Sequence, residues 1–372
     1  MSVQLEQITR RNPRNGRPIV DNVSLAVASG SFTALVGPSG AGKTSLLRII
    51  AGLDPHQAGH VSIDGTRVDT LDARARNIGF VFQHYALFAH MSVAANIGFG
   101  LSVRPRGQRP RRDVIARRVE DLLDLMQLSG LGGRYPHELS GGQRQRVALA
   151  RTLATGPRVL LLDEPFGALD PLVRRQIRGW LRSLHERLGL TTILVTHDRQ
   201  EAAELADTVV LMRHGRIVQA GTPQALEDTP ADPFTMAFTG DLVRLGGRVE
   251  NHVFTPDLPD ILPVTAPIAA GPAELLVRPV DIALRPGQGQ ATAVLRQARG
   301  PLGLYDVRLG TDTLQVETLM PPDRPRILPH CALDVTAGRL ARDNAWASVE
   351  TPPFPGPPSI HPTGERIHAQ HS

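Results

Sequence analysis

The first 240 residues alternate two kinds of apolar pattern. Short, β-branched runs with little polar interruption occur at 31–37 (SFTALVG), 78–83 (IGFVFQ), 159–163 (VLLLD), 192–196 (TILVT) and 208–212 (TVVLM). Between them lie stretches of helical pattern, such as 42–51 (GKTSLLRIIA) and 143–154 (QRQRVALARTLA). A short continuous apolar run predicts a strand covered on both faces, and apolar spacings of three and four predict a helix. Strands alternating with helices predict an α/β fold built on a mainly parallel sheet.

The pattern changes after about residue 240. From residue 271 onward the apolar positions alternate with period two, in AELLVRPVDIALRP, QATAVLRQARG, YDVRLG, TLQVET and CALDVTAG, broken by Gly and Pro. That pattern predicts a small antiparallel β-barrel. The expected organisation is therefore an α/β domain over 1–240, a β-rich domain over 241–350 and a tail over 351–372. The tail, TPPFPGPPSIHPTGERIHAQHS, has the proline-rich, apolar-poor composition of a disordered segment. No internal repeat is present.

Composition narrows the function. No apolar run approaches the roughly 20 residues needed to cross a bilayer, and the start, MSVQLEQITRR, lacks the apolar core of a signal peptide. A membrane role is expected to come through a partner. One cysteine, Cys331, excludes an internal disulfide framework and is expected to be a small core residue of a strand. The net charge of +5 raises a nucleic-acid reading, but the basic residues are scattered among acids. Only 104–112 (RPRGQRPRR) forms a basic cluster, and it reads as a solvated surface loop. Of the 41 basic residues, every one but Lys43 is arginine. A site that keeps the lone lysine needs a compact ammonium rather than a planar guanidinium.

Lys43 lies in Gly37-Pro38-Ser39-Gly40-Ala41-Gly42-Lys43-Thr44, a full match to G-x-x-x-x-G-K-[ST] between an expected strand and an expected helix. The glycines let the loop curl so that successive backbone N–H groups point at phosphate oxygens, and the helix start adds a favourable dipole. Lys43 is expected to reach the β- and γ-phosphates of ATP, and Thr44 to ligate Mg²⁺. The run 159–162 ends in Asp163-Glu164. Acids at a strand's C-terminal end face the crevice where α/β sheets bind ligands. Asp163 is expected to hold Mg²⁺ directly or through water, and Glu164 to polarise the attacking water as general base. A third element, Leu139-Ser140-Gly141-Gly142-Gln143, opens a helix with a second anion cradle. One nucleotide does not need two such cradles. A head-to-tail homodimer, in which Ser140, Gly141, Gly142 and Gln143 close on the partner's ATP, resolves the duplication.

Phosphate loop, LSGGQ and VLLLDEP in this order resemble the nucleotide-binding subunits of ABC transporters, over roughly residues 3–240. The resemblance implies a P-loop ABC cassette with a mixed sheet and a helical subdomain, followed here by an OB-like barrel that dimerises and regulates. It further implies that Gln83 senses Mg²⁺ and water, and that His197 contacts the γ-phosphate. Gly167-Ala168-Leu169-Asp170 would cross the dimer interface, with Asp170 near the nucleotide. Relatives usually stack an aromatic on adenine soon after the first strand; segment 9–17 (TRRNPRNGR) has none, and Arg14 is the residue that could stack instead.

A single cassette with a β-rich extension and no membrane helices is similar to importer ATPases rather than exporters. The stretch GFVFQHYALF at 79–88 resembles sulfate/thiosulfate import ATP-binding proteins, whereas DEPFGALD is shared with ferric-iron, molybdate and polyamine importers. The resemblance implies two transmembrane permease subunits docked at 85–91, a periplasmic or surface sulfate/thiosulfate-binding protein, and a place on the cytoplasmic face of the inner membrane. The alternatives are another importer cargo, sugar included, or a soluble ABC ATPase using the basic cluster on nucleic acid. No nucleic acid is expected on the first reading.

Overall fold

The computed structural model describes residues 3–167, 169–320, 326–342 and 345–350. The 351–372 tail expected to be disordered lies outside the described residues. The chain forms two compact units that divide between Thr239 and Gly240.

The N-terminal unit runs β1 Val3–Arg11, β2 Pro18–Val27, β3 Phe32–Val36, α1 Lys43–Ala51, β4 Ala58–Ile63, β5 Thr66–Arg67 and β6 Ile78–Val81. It continues with α2 Val93–Ser102, α3 Arg112–Leu125, α4 Gly141–Ala154, β7 Val159–Asp163, α5 Pro171–Leu188, β8 Thr191–Val195 and α6 Arg199–Leu205. It closes with β9 Thr208–Arg213, β10 Arg216–Gly221, α7 Pro223–Asp228 and α8 Pro233–Thr239. The central sheet has the order β10-β9-β3-β8-β7-β6. All its pairings are parallel except that of the edge strand β10. A smaller antiparallel sheet, β2-β1-β4-β5, lies beside it.

The continuous apolar runs follow from two cores on opposite faces of the central sheet. Leu160 and Leu162 of β7 join the core formed with α2 to α6, while Val159 and Leu161 join that of α1 and the antiparallel sheet. β8 and β9 divide their side chains the same way. Every residue of β7 is buried, so truncating Leu161 to Ala would cost about 2–5 kcal/mol.

Register sets the functional edge. Leu35 of β3 pairs with Val195 of β8, and Val195 pairs with Asp163 of β7. Val81 of β6 pairs with Leu162, one residue short of Asp163. The loops leaving these four strands consequently emerge side by side, at the carboxyl ends where an open α/β sheet presents its crevice.

The second unit is antiparallel. Its strands are β11 Val243–Glu250, β12 Val253–Pro256, β13 Val264–Thr265, β14 Gly271–Val277, β15 Ile282–Arg299, β16 Leu302–Leu309, β17 Asp312–Leu319, β18 Ile327–Val335, β19 Ala337–Arg342 and β20 Ala345–Glu350. They form two sheets, β13-β12-β11-β14-β19-β20 and β17-β16-β15-β18, around one shared core that includes Phe254, Leu275, Tyr305 and Leu333. Cys331 of β18 is fully buried in that core, as its residue type suggested.

Candidate nucleotide site

The glycine loop between β3 and α1 is shaped from behind. Gly37 has φ 142°, and a Cβ there would lie 2.1 Å from the Met212 carbonyl oxygen. Gly42 has φ 99°, and its Cβ would lie 2.4 Å from the Ile19 carbonyl oxygen. Only glycine fits either position. Gly42 caps α1 without any side-chain acceptor, and the first helical bond runs from Leu46 N–H to Gly42 O at 2.9 Å. The N–H groups of Lys43, Thr44 and Ser45 therefore stay outside the helical ladder, the arrangement that receives an anion. Gly40, by contrast, faces open space.

Lys43 is 6% exposed, and its Nζ donates to Gly37 O at 2.7 Å and Pro38 O at 2.9 Å. Burial pushes its pKa down, against the pull of Glu164 and Asp163. Asp163, 8% exposed, accepts a hydrogen bond from Thr44 Oγ1 at 2.8 Å. Its carboxyl is pushed up first by burial and further by the like charge of Glu164, while the Thr44 bond works the other way. Thr44 Oγ1 and Asp163 Oδ1 bring two hard oxygen donors together, a donor set that suits Mg²⁺. Among the described residues no cluster of three His, Cys, Asp or Glu side chains forms a metal site. A two-oxygen protein contribution is the pattern of a cation that takes its remaining ligands from phosphate and water.

Glu164 leaves the sheet with φ 44°, a left-handed backbone that a non-glycine residue adopts only when its surroundings hold it there. Its N–H donates to Val195 O at 3.0 Å. The turn carries its carboxylate between two groups: Gln83 Nε2 donates to Oε2 at 3.1 Å, and His197 Nδ1 lies 3.4 Å from Oε1. Gln83 stands two residues beyond β6 and His197 two beyond β8, so both side chains reach the acid from neighbouring strands.

The fold thus brings Gly37–Thr44, Asp163, Glu164, Gln83 and His197 to one edge. It does not add Ser140–Gln143. Among the described residues, no hydrogen bond or ion pair joins that segment to the cluster. Ser140 caps α4 by accepting from Gln143 N–H at 3.3 Å, and Gln143 Oε1 in turn accepts from Ser140 N–H at 2.9 Å. This reciprocal capping fixes the turn and leaves the amides of Gly141 and Gly142 outside the helical ladder. Asp170 is likewise engaged, capping α5 through Val173 N–H at 3.0 Å. Ala168, between them in sequence, lies outside the described residues. The turn is exposed at 13–17 and leads within two residues to Ile19, whose carbonyl backs Gly42, so Arg14 belongs to a turn beside the loop.

Sequence reasoning missed the groups that fix the chain on either side of His197. Thr196 is buried and donates its hydroxyl to the buried carboxylate of Glu201, while Asp198 caps α6 through Gln200 and Glu201 N–H. The D-x-x-E spacing of Asp198 and Glu201 was the available signal. Arg151 and Asn96, which hold the segment after Gln83, were also passed over.

A mainly parallel sheet, a glycine phosphate loop at a helix start and two consecutive acids at the end of β7, one strand removed from β3, define a P-loop ATPase. Residues 20–167 match the ABC transporter family. The chain is 49% identical over 312 residues to the sulfate/thiosulfate import ATP-binding protein of Brucella melitensis, covering 83% of this chain and 87% of that one. It is 50% identical over 287 residues to the protein of that name from Burkholderia mallei, covering 76% and 82%. Among solved structures it is similar to a dimeric ATP-binding cassette in a post-hydrolysis state with ADP and phosphate. That likeness has a TM-score of 0.53 and 32% identity over 59% of this chain and 98% of the other. The chain belongs to the ABC transporter family, as one of its ATP-hydrolysing subunits.

Proposed function

We propose that the chain is the ATP-binding subunit of an importer for sulfate or thiosulfate. The observation that carries this is the extent of the likeness: 312 aligned residues exceed the 239 of the N-terminal unit, so the resemblance enters the C-terminal unit as well. Among the described residues no helix is long and apolar enough to cross a membrane, so transport needs permease subunits as partners. The subunit would sit peripherally on the cytoplasmic face, with a sulfate/thiosulfate-binding protein acting on the far side.

In this reading Lys43 and the free amides of Lys43 to Ser45 bind the β- and γ-phosphates, and Thr44 and Asp163 hold Mg²⁺, which supplies charge neutralisation on the phosphates. Glu164 is the general base: its carboxylate takes a proton from water, while Gln83 orients the acid and His197 faces the γ-phosphate. Ser140–Gln143 offers its anion cradle to the ATP of a second copy, which accounts for its separation from the cluster. Asp170 acts at the same interface as a helix cap. A groove of about 400 Å³, lined by Phe80, Phe82, Phe88, Phe99 and Arg151, receives the permease beside the 85–91 segment.

The test is labelled-sulfate uptake by cells deleted for the protein, with and without its restoration, with thiosulfate and molybdate as competitors. Restored uptake that thiosulfate blocks supports the cargo. Unchanged uptake in a deletion strain without a second importer removes it and leaves the ATPase standing.

A further inference from the structure

The segment after Gln83 adopts a costly shape. Tyr85 and Ala86 are consecutive non-glycine residues with φ 60° and 48°, both in the left-handed region. L-residues enter it singly and at a price in energy, so a neighbour must hold two in succession. Arg151 of α4 does this: Nη2 donates to Tyr85 O at 3.0 Å and Nη1 to Ala86 O at 2.7 Å. The same guanidinium lies 5.3 Å from the centre of the Phe88 ring. Asn96 of α2, fully buried, pins the far end by accepting from Phe88 N–H at 2.9 Å and donating to Phe88 O and Met91 O at 3.1 Å each.

These contacts join three things in series. α4 begins at Ser140–Gln143, Arg151 lies further along it, and the carbonyls that Arg151 holds are two and three residues from Gln83. Gln83 in turn touches Glu164. Arg151 also lines the aromatic groove, where its half-buried charge has those two carbonyls and a ring as partners.

We infer that Arg151 is a positioning residue for ATP hydrolysis: its fork fixes the left-handed turn at Tyr85 and Ala86, and that turn sets Gln83 against Glu164. Displacement of the guanidinium by a segment entering the groove, or by movement of α4, would release Gln83. Only a planar fork reaches both carbonyls and the ring together, so lysine replaces it in part. The inference rests on the reading of Gln83 and Glu164 as the hydrolytic pair.

The experiment uses the full-length chain with Arg151→Met and Arg151→Lys, measuring steady-state ATP hydrolysis and amide hydrogen exchange. Arg151→Met is expected to lower kcat about tenfold with KM within about twofold, and Arg151→Lys to recover part of the loss. Exchange at residues 84–91 is expected to quicken about tenfold in the Met variant, while β3, β7 and β8 keep wild-type protection. Wild-type exchange at 84–91, or a loss carried by KM alone, overturns the inference. If exchange rises throughout the Met variant, its fold has failed and Arg151→Lys decides: unchanged loop exchange with a full loss of kcat overturns the positioning role. Quickened loop exchange together with undiminished turnover in Glu164→Gln leaves the clamp standing and removes the hydrolytic reading instead.

Discussion

Gln83 Nε2 donates to Glu164 Oε2 at 3.1 Å, joining residues from two strands that leave the sheet side by side. With His197 on the other oxygen, the acid is held at a defined place and angle. Replacing Glu164 by Gln keeps the shape and removes the base. The Glu164→Gln variant is expected to bind ATP as the wild type does, lose about 10²–10⁴-fold in turnover, and accumulate as a dimer with ATP. Turnover and size-exclusion chromatography with and without ATP check both; wild-type turnover would exclude Glu164 as base.

Lys43 is almost fully buried, with two carbonyl acceptors from its own loop. Lys43→Arg preserves the charge and enlarges the head group. ATP affinity is expected to fall about tenfold or more, equal to about 1.4 kcal/mol, with ATPase activity largely lost. Titration calorimetry with a non-hydrolysable analogue reads this directly. Unaltered affinity would show that charge alone suffices.

Gly37→Ala puts a methyl group 2.1 Å from the Met212 carbonyl at a backbone angle alanine avoids. Together these are expected to cost about 2–4 kcal/mol, or roughly 5–10 °C in the melting temperature of the N-terminal unit. Gly40→Ala shares the positive φ, at 78°, but meets nothing within 4 Å, so it isolates the backbone strain from the clash and is expected to cost less.

The buried strands and the phosphate loop were legible because each is a local pattern. VLLLD is apolar at every position since both faces of β7 are covered, and glycine spacing reports a backbone shape directly. The hairpin β1-β2 escaped notice because its inward residues, such as Val3, Leu5 and Ile8, alternate irregularly across register shifts. In the second unit β11 to β13 lie before residue 271, where Gly246, Gly247 and several prolines interrupt the period of two. The clamp on Tyr85 and Ala86 was invisible for another reason. It joins residues some 65 positions apart, and an arginine in a helix looks the same whether it faces water or two carbonyls.

Tyr85 carries a second peculiarity. Its hydroxyl is buried without a hydrogen-bond partner, and burial pushes its pKa up. An unsatisfied buried hydroxyl costs about 1–3 kcal/mol, whereas phenylalanine keeps the ring and removes the group. Tyr85→Phe is expected to stabilise the isolated subunit by about 1 kcal/mol, raising its melting point by about 2–4 °C. A lower melting point would mean that the hydroxyl has a partner in solution.

Glu201 supplies the pH dependence. Its carboxyl is buried beside Thr196, and burial, reinforced by Asp198, pushes its pKa above the ordinary 4.5 despite the Thr196 hydroxyl and the guanidinium groups of Arg174 and Arg178. The folded protein therefore holds this proton more tightly than the unfolded chain does, and stability falls as pH rises from about 4.5 through the native pKa. Above that value the cost of burying the charge is fully present. Asp54, Asp69 and Asp207 are shifted the other way and lose stability as pH falls through their lowered values, so the wild-type curve mixes both signs. Glu201→Gln keeps an oxygen for Thr196 and has no charge to bury. Subtracting the two curves cancels the shared groups. The variant's melting temperature relative to wild type is expected to rise as pH rises from about 4.5 through the native pKa of Glu201 and to be flat above it. A difference that shrinks as pH rises would mean that the ion pairs with Arg174 and Arg178 outweigh burial, and that the carboxylate is the favoured form in the fold.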